Sequence, residues 1–260
     1  MNPRDVPTLP DSGEAEDQPP RLGHFDIVGR LGAGGMGMVF AGRDTLLDRR
    51  VALKLLHPNG DRGHVALARL FREAQALAKL SHPNVVTVYE VGMAGDDPFV
   101  AMELVEGETL LAWMRQPRSV RDVLDVFIAV GHGLAAVHAL GLVHRDFKPS
   151  NVLIDRRGVP KLGDFGLVTT SDAPSTAPGP TDTASLQTLT QTGSVLGTPA
   201  YMAPEQRLGG SVDPRADQYS FAKSLLEALP DPAPAALHAI LSRALADDPA
   251  DRYRAMAPLL

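Results

Sequence analysis

At 260 residues, 44% of them hydrophobic, the chain can bury a substantial core as one domain or two closely packed lobes, which excludes wholesale disorder. Its formal net charge of -6, with no long Lys/Arg run, excludes the electrostatic footprint of a nucleic-acid binder. Without cysteine it can form neither disulfides nor thiolate-ligated metal sites.

Residues 1–20 are rich in Pro, Asp and Glu and lack a hydrophobic period, which predicts a disordered tail. Arg4 has no apolar stretch behind it, so no secretory signal peptide is expected. From Phe25 the pattern changes to short apolar runs at Phe25–Leu31, Met38–Ala41, Val51–Leu56, Val85–Val91 and Phe99–Leu104, punctuated by Gly, Asp and Pro. Such spacing predicts an antiparallel sheet. One helix interrupts it: Leu67, Leu70, Phe71, Ala74, Leu77 and Ala78 share a face, with Arg69, Arg72, Gln75 and Lys79 outside it. Helical patterns dominate after Leu110, with strand-like exceptions at Val152–Ile154 and Pro160–Leu162. The longest apolar region, Val123 to Val143, contains Asp125, His132, His138 and three glycines, so it reads as a buried helix rather than a membrane span. The chain is therefore expected to be soluble and cytoplasmic. Between Thr169 and Ser194 a Ser/Thr/Pro/Ala-rich stretch predicts a flexible loop.

Several segments carry chemistry. Gly32-Ala33-Gly34-Gly35-Met36-Gly37-Met38-Val39 is a glycine-rich loop whose backbone can approach a polyphosphate and offer its N–H groups. Strand patterns flank it on both sides, unlike a dinucleotide fingerprint, which opens a helix. In Val51-Ala52-Leu53-Lys54 a lysine alternates into an apolar strand, and a buried ammonium needs a partner. Glu73 lies three residues after Leu70 and four before Leu77, so it points inward and supplies one. In His144-Arg145-Asp146-Phe147-Lys148-Pro149-Ser150-Asn151, Asp146 can accept a hydroxyl proton, Lys148 can neutralise a transferring phosphoryl group, and Asn151 can hold a metal. Thirteen residues after Asn151 comes Asp164-Phe165-Gly166, where Asp164 can bind Mg²⁺.

Together these match the protein-kinase signature set in order and spacing, and from about Phe25 onward the chain resembles the bacterial eukaryotic-like Ser/Thr protein kinases. His82-Pro83-Asn84-Val85-Val86, Gly197-Thr198-Pro199-Ala200-Tyr201-Met202-Ala203-Pro204-Glu205, Asp217-Gln218-Tyr219-Ser220-Phe221 and Asp248-Pro249 with Arg252 extend the match. The resemblance implies an α+β, two-lobed fold: a small antiparallel-sheet N-lobe with one key helix over about 21–104, and a larger, mainly helical C-lobe over about 105–260. The activation segment would be 164–205. It implies ATP with Mg²⁺, or Mn²⁺, as cofactors, and protein substrates with Ser/Thr acceptors. Leu31, Gly32, Ala33, Gly34, Gly35, Met36 and Gly37 would cover the nucleotide, and Val39, Ala52 and Leu153 would sandwich the adenine. Met102 would be the gatekeeper, while the Glu103 carbonyl and the Val105 amide would bond the base. Lys54 and Glu73, with Asp146 and Lys148, would be catalytic; Asn151 and Asp164 would hold metal. Leu77, His144 and Phe165 would stack in a spine, and Glu205 with Arg252 would form a buried ion pair. Lys148 with Thr198 favours Ser/Thr over Tyr acceptors. Autophosphorylation at Thr190 or Thr192, received by Arg145, is the implied regulation.

One interval departs from the family. Asp217 to Arg252 is short: a helix from Ser220 to Leu229 runs through Pro230-Asp231-Pro232-Ala233-Pro234 straight into a helix over Ala235–Leu245, and the helix usually lying between is missing. The C-lobe is thus shortened. Two outcomes follow: either an apolar patch is uncovered for a docking partner or a second copy of the chain, or the flanking helices close the gap. Two other functions compete with catalysis on protein substrates. A pseudokinase-like signalling scaffold would lack one of Lys54, Glu73, Asp146, Asn151 or Asp164, all of which are present. A small-molecule phosphotransferase would lack the Gly197–Glu205 segment.

Overall fold

The computed structural model describes residues 21–34, 37–56, 64–95, 97–164 and 200–260. The expected tail, Gly35 and Met36, the loop over Thr169–Ser194, and Phe165, Gly166, Thr190, Thr192 and Thr198 lie outside the described residues.

Strands β1 (Arg21–Leu22), β2 (Phe25–Gly34), β3 (Gly37–Asp44), β4 (Arg49–Leu55), β5 (Val88–Ala94) and β6 (Asp97–Glu103) form one antiparallel sheet in the order β1-β2-β3-β4-β6-β5. Period-2 alternation divides the central strands between two cores. Phe40, Leu53, Leu55, Phe99 and Ala101 turn to one face and join Phe25 in a core confined to the N-lobe. The opposite face of β4 and β6 continues through Leu56 and Val100 into the main core of the molecule. Helix α1 (His64–Ala78) adds Leu70 and Leu77 to that core. Ala78 shares their face by spacing but is exposed, because it is the last residue of the helix, where the packed face ends. Another expectation is also corrected. The run Val85–Val91 enters a strand only at Val88; Val85 and Val86 are buried and reach across to Leu162, Val85 by an isolated bridge and Val86 by its N–H on the Leu162 carbonyl at 2.8 Å.

The C-lobe is mainly helical: α2 (Leu110–Trp113), α3 (Val120–Ala139), α4 (Pro204–Arg207), α5 (Pro214–Ala228) and α6 (Ala235–Ala244), with a small sheet of β7 (Gly107–Thr109), β8 (Val152–Asp155) and β9 (Pro160–Leu162). Helix α3 starts with a capping box in which Ser119 and Asp122 satisfy each other's backbone N–H groups. Its glycines allow close packing. A Cβ at Gly133 would stand 2.6 Å from the Asn84 carbonyl oxygen, and one at Gly131 2.2 Å from the Leu260 side chain. This apolar helix is therefore a core element, and no helix among the described residues is long and apolar enough to cross a membrane.

Residues 229–234 join α5 directly to α6, so the intervening helix is absent. Leu225, Leu229, Leu241 and Ala244 are all buried. Leu226 and Leu237 are half-buried and Ile240 is exposed, so the flanking helices cover part of the gap and leave part of its apolar surface open.

Candidate active site

The sheet register explains why the N-lobe candidates converge. Val39 pairs with Lys54, Lys54 with Val100, and Ala52 with Met102, so all five side chains share one face. Lys54 is buried there, and its Nζ bonds the Asp164 carboxylate. The Asp164 carboxylate reaches it from 110 residues away in the chain. Glu73 itself is half-buried on α1. Lys54, Met102, Gly163 and Asp164 line one cavity with Leu56, Val86, Val88 and Val100.

At the β2–β3 hairpin, Leu31, Gly32 and Ala33 are exposed. A Cβ on Gly32 would meet nothing within 4 Å, whereas one on Gly37, whose φ is +138°, would stand 2.0 Å from the Leu55 carbonyl oxygen. Gly37 is thus required by the approach of β3 to β4, a constraint that a phosphate-loop reading does not contain. At the end of β6, the Glu103 carboxylate accepts from Lys161 Nζ at 3.0 Å and from the Thr87 N–H at 3.3 Å, tying the strand end to the C-lobe. Val105 is half-buried. Leu153 is half-buried too, on the face of β8 opposite the buried Val152 and Ile154.

The His144–Asn151 segment is held from below. Asp217 on α5 is 1% exposed, and its carboxylate accepts the N–H of His144 at 2.8 Å and of Arg145 at 2.9 Å, with His138 Nε2 at 2.7 Å. A carboxylate only accepts, so His138 Nε2 carries the proton. These bonds secure Arg145 at φ +67°, a conformation that side-chain-bearing residues rarely adopt. The Arg145 carbonyl is fixed as well, by Gln206 Nε2 at 2.8 Å. The next residue, Asp146, presents a carboxylate that accepts from Lys148 Nζ at 2.9 and 3.1 Å. Asn151 Nδ2 donates to the Asp146 carbonyl at 2.8 Å and to its carboxylate at 3.0 Å. The structure therefore unites Asp146, Lys148 and Asn151 as the motif implied. Sequence reasoning assigned no role to Asp217, His138 or Gln206. Asp217 lies four residues before Phe221 on α5, hence on its core-facing side, and an acid there was a readable signal.

Beside this segment Arg252, 1% exposed, makes a two-pronged pair with Glu205 at 2.7 and 2.8 Å. It also donates to the carbonyls of Ala246 and Arg215, as a buried guanidinium must. The buried pair implied for these residues is present. Leu77 and His144 are buried as well, with His144 Nε2 at 2.9 Å from the Gly163 carbonyl oxygen.

A nucleotide with a divalent ion fits these donors. Because Asn151 Nδ2 donates twice to Asp146, its Oδ1 is the atom left for a metal, and Asp164 is within reach of the same cavity as Lys54. Among the described residues no cluster of three His or carboxylate groups could cage an ion alone. An ion held by Asn151 and Asp164 would complete its shell with phosphate and water oxygens, as Mg²⁺ commonly does.

Comparison with known proteins agrees with this geometry. Residues 25–252 match the model of the protein kinase domain. The chain is 40% identical over 233 residues to the serine/threonine-protein kinase PknL of Mycobacterium tuberculosis, covering 89% of this chain and 55% of that protein. To the serine/threonine-protein kinase Pkn1 of Myxococcus xanthus it is 34% identical over 270 residues, covering 91% and 37% respectively. It thus spans about half or less of the length of these relatives. The crystal structure of the Mycobacterium tuberculosis PknI kinase domain superposes with a TM-score of 0.72 at 28% identity, covering 92% of this chain and 94% of that one. With the motifs, the two-lobed fold and the site geometry in agreement, the chain belongs to the protein kinase domain family, among the bacterial Ser/Thr kinases.

Proposed function

We propose that the chain is an ATP-dependent serine/threonine protein kinase. The observation that carries this reading is the Asp146 carboxylate held jointly by Lys148 and Asn151, next to the Lys54–Asp164 pair. Lys54 would steady the phosphates under the glycine-rich hairpin, with Val39, Ala52 and Leu153 about the adenine and Met102, Glu103 and Val105 along its edge. Asn151 and Asp164 would hold Mg²⁺, whose charge offsets that of the phosphates. Asp146 would orient the acceptor hydroxyl and take its proton. The acceptor oxygen forms a bond to the γ-phosphorus as the bond from that phosphorus to the β–γ bridging oxygen breaks, Lys148 offsets the charge of the moving group, and ADP leaves.

Incubating the purified protein with labelled ATP, Mg²⁺ and a generic protein acceptor tests this. Label on Ser or Thr, abolished in Asp146→Asn, is the expected result. Nucleotide binding without transfer would favour a scaffold instead. Activation by autophosphorylation at Thr190 or Thr192 belongs to the same proposal. Residues 162–206 contain no Lys or Arg, so a phosphate there needs a cation from elsewhere, and Arg145 adjoins Asp146. Mass spectrometry of active protein should find phosphate at one of these threonines, and the Thr190→Ala/Thr192→Ala variant should lose activity. At the α5–α6 junction Leu225, Leu229 and Leu241 are buried while Leu226, Leu237 and Ile240 are not, and no docking partner or second copy is proposed there.

A further inference from the structure

We propose that Glu106 is a positioning residue that, through Arg50, holds the two lobes together and slows the release of bound nucleotide. The inference deepens the kinase reading and rests on it. Glu106 lies between β6 and β7, where the chain passes from the N-lobe to the C-lobe, one residue after Val105, whose amide is expected to bond the base. Its main chain belongs to the C-lobe. The Arg156 N–H donates to the Glu106 carbonyl at 3.0 Å. The next residue, Gly107, pairs with Asp155 so closely that a Cβ there would stand 1.8 Å from the Ile154 carbonyl oxygen. A backbone oxygen cannot swing aside, so only glycine fits, and the Glu106 main chain is fixed against β8.

The side chain of Glu106 joins both lobes. Its Oε1 accepts from Arg50 Nη1 and its Oε2 from Arg156 Nη1 at 3.3 Å. Arg156 stands on the same lobe as the Glu106 main chain, so it orients the carboxylate without bridging anything. Arg50 lies in β4, pairs with Arg43 of β3 and moves with the N-lobe sheet. Alternation along β4 puts it on the face of Ala52 and Lys54, the face on which Lys54 lines the cavity with Asp164. The Arg50–Glu106 pair thus spans the lobes on the nucleotide side, and it must lengthen when the N-lobe rotates away to let nucleotide out. Other carboxylates of the surrounding cleft, about 380 Å³ in volume, are engaged elsewhere. Asp155 accepts the N–H groups of Arg157 at 2.8 Å and Val159 at 2.9 Å, and Glu103 takes Lys161 at 3.0 Å. Among the described residues Glu106 is the one carboxylate within ion-pair distance of Arg50. The Arg50 side chain is 68% exposed, so the restraint is modest and sensitive to salt.

The test is the dissociation rate of a fluorescent ADP, followed by stopped flow. The wild-type chain is compared with Glu106→Gln, Arg50→Gln, the double variant and Arg50→Lys, and the melting temperature of each is taken without nucleotide. At low salt Glu106→Gln and Arg50→Gln should each release nucleotide about threefold faster than wild type. The double variant should be no faster than either, because one interaction is lost in all three. Arg50→Lys, which keeps the cation, should stay close to wild type. In about 1 M salt, where charges are screened beyond about 3 Å, wild-type release should approach that of the variants. In steady-state assays kcat should not fall in Glu106→Gln, since the pair touches no reacting atom and product release limits many such enzymes. An unchanged or slower release in Glu106→Gln, single effects that add in the double variant, or wild-type release indifferent to salt overturns the proposal and leaves the kinase reading intact. Faster release shared by Arg50→Lys, or accompanied by a melting temperature lowered by more than about 4 °C, assigns the pair a structural role and overturns it too. No binding of labelled or plain nucleotide by the wild type overturns both readings together.

Discussion

The Asp146 carboxylate is oriented by three hydrogen bonds from Lys148 and Asn151 side chains, none of which the fold needs for its core. Asp146→Asn is therefore expected to lower turnover by about 10²- to 10⁴-fold with little change in melting temperature, checked by steady-state kinetics and calorimetry on the same preparation. Lys54→Met should cripple turnover more than nucleotide affinity, because the contacts expected of Met102, Glu103 and Val105 remain; nucleotide titration beside kinetics would show the split. Asp44 illustrates a residue with a purely structural load. Burial raises its carboxyl pKa, but N–H groups of Leu47 and Leu46 with the Arg49 guanidinium outweigh it and hold the group below the usual carboxylate value. A depressed folded-state pKa stabilises above the unfolded value, about 3.9, and that stability is lost as pH falls through the folded pKa. Melting temperature should thus drop as pH is lowered below about 4, with a shallower acid limb in Asp44→Asn. The catalytic motif residues were legible because phosphoryl transfer prescribes their types and order. The acid on the core-facing side of α5 was a readable signal, but the partners of Asp217, two backbone N–H groups and the His138 side chain, lie more than 70 residues away in the chain, and spacing does not bring them together.

Periodicity is a sound guide to elements with one wet face and a poorer one at crossings between lobes. The strands at Met38–Ala41 and Val51–Leu56 and the helix around Leu70–Leu77 were readable from their alternation. Val85 and Val86 read as strand because both are apolar, yet they serve as a buried crossing onto Leu162; hydrophobicity reports burial and not backbone form. The short β7 carries no apolar residue and was invisible for the same reason. Helix α3 offers a test of packing at this scale. Gly133→Ala places a Cβ 2.6 Å from the Asn84 backbone oxygen, which cannot swing aside, and is expected to cost about 1–3 kcal/mol in chemical denaturation. Ser119→Ala, which removes one half of the α3 capping box, should cost about 1 kcal/mol.

At the scale of the molecule, the Glu205–Arg252 pair ties α4 to the turn that ends at Arg252. Arg252→Met would leave the 13% exposed Glu205 side chain without its cation and vacate bonds to three carbonyls. A loss of about 3–5 kcal/mol is expected, measured by denaturant unfolding, with activity falling in parallel. The double variant in which both partners become apolar should recover part of that stability, since no uncompensated charge then remains buried.

By itself the sequence determined the two-part architecture, the order of the kinase motifs and the shortening between Asp217 and Arg252, because these depend on local periodicity and on residue types at fixed spacing. How far the shortening opens a surface was decided only in three dimensions, where Leu225, Leu229 and Leu241 are buried and Ile240 is exposed. So were the meeting of Lys54 with Asp164 across 110 residues and the anchoring of a left-handed Arg145 by Asp217. Each depends on which distant groups share a small volume. Charge pairing and desolvation act through space, and spacing along a chain does not contain that distance.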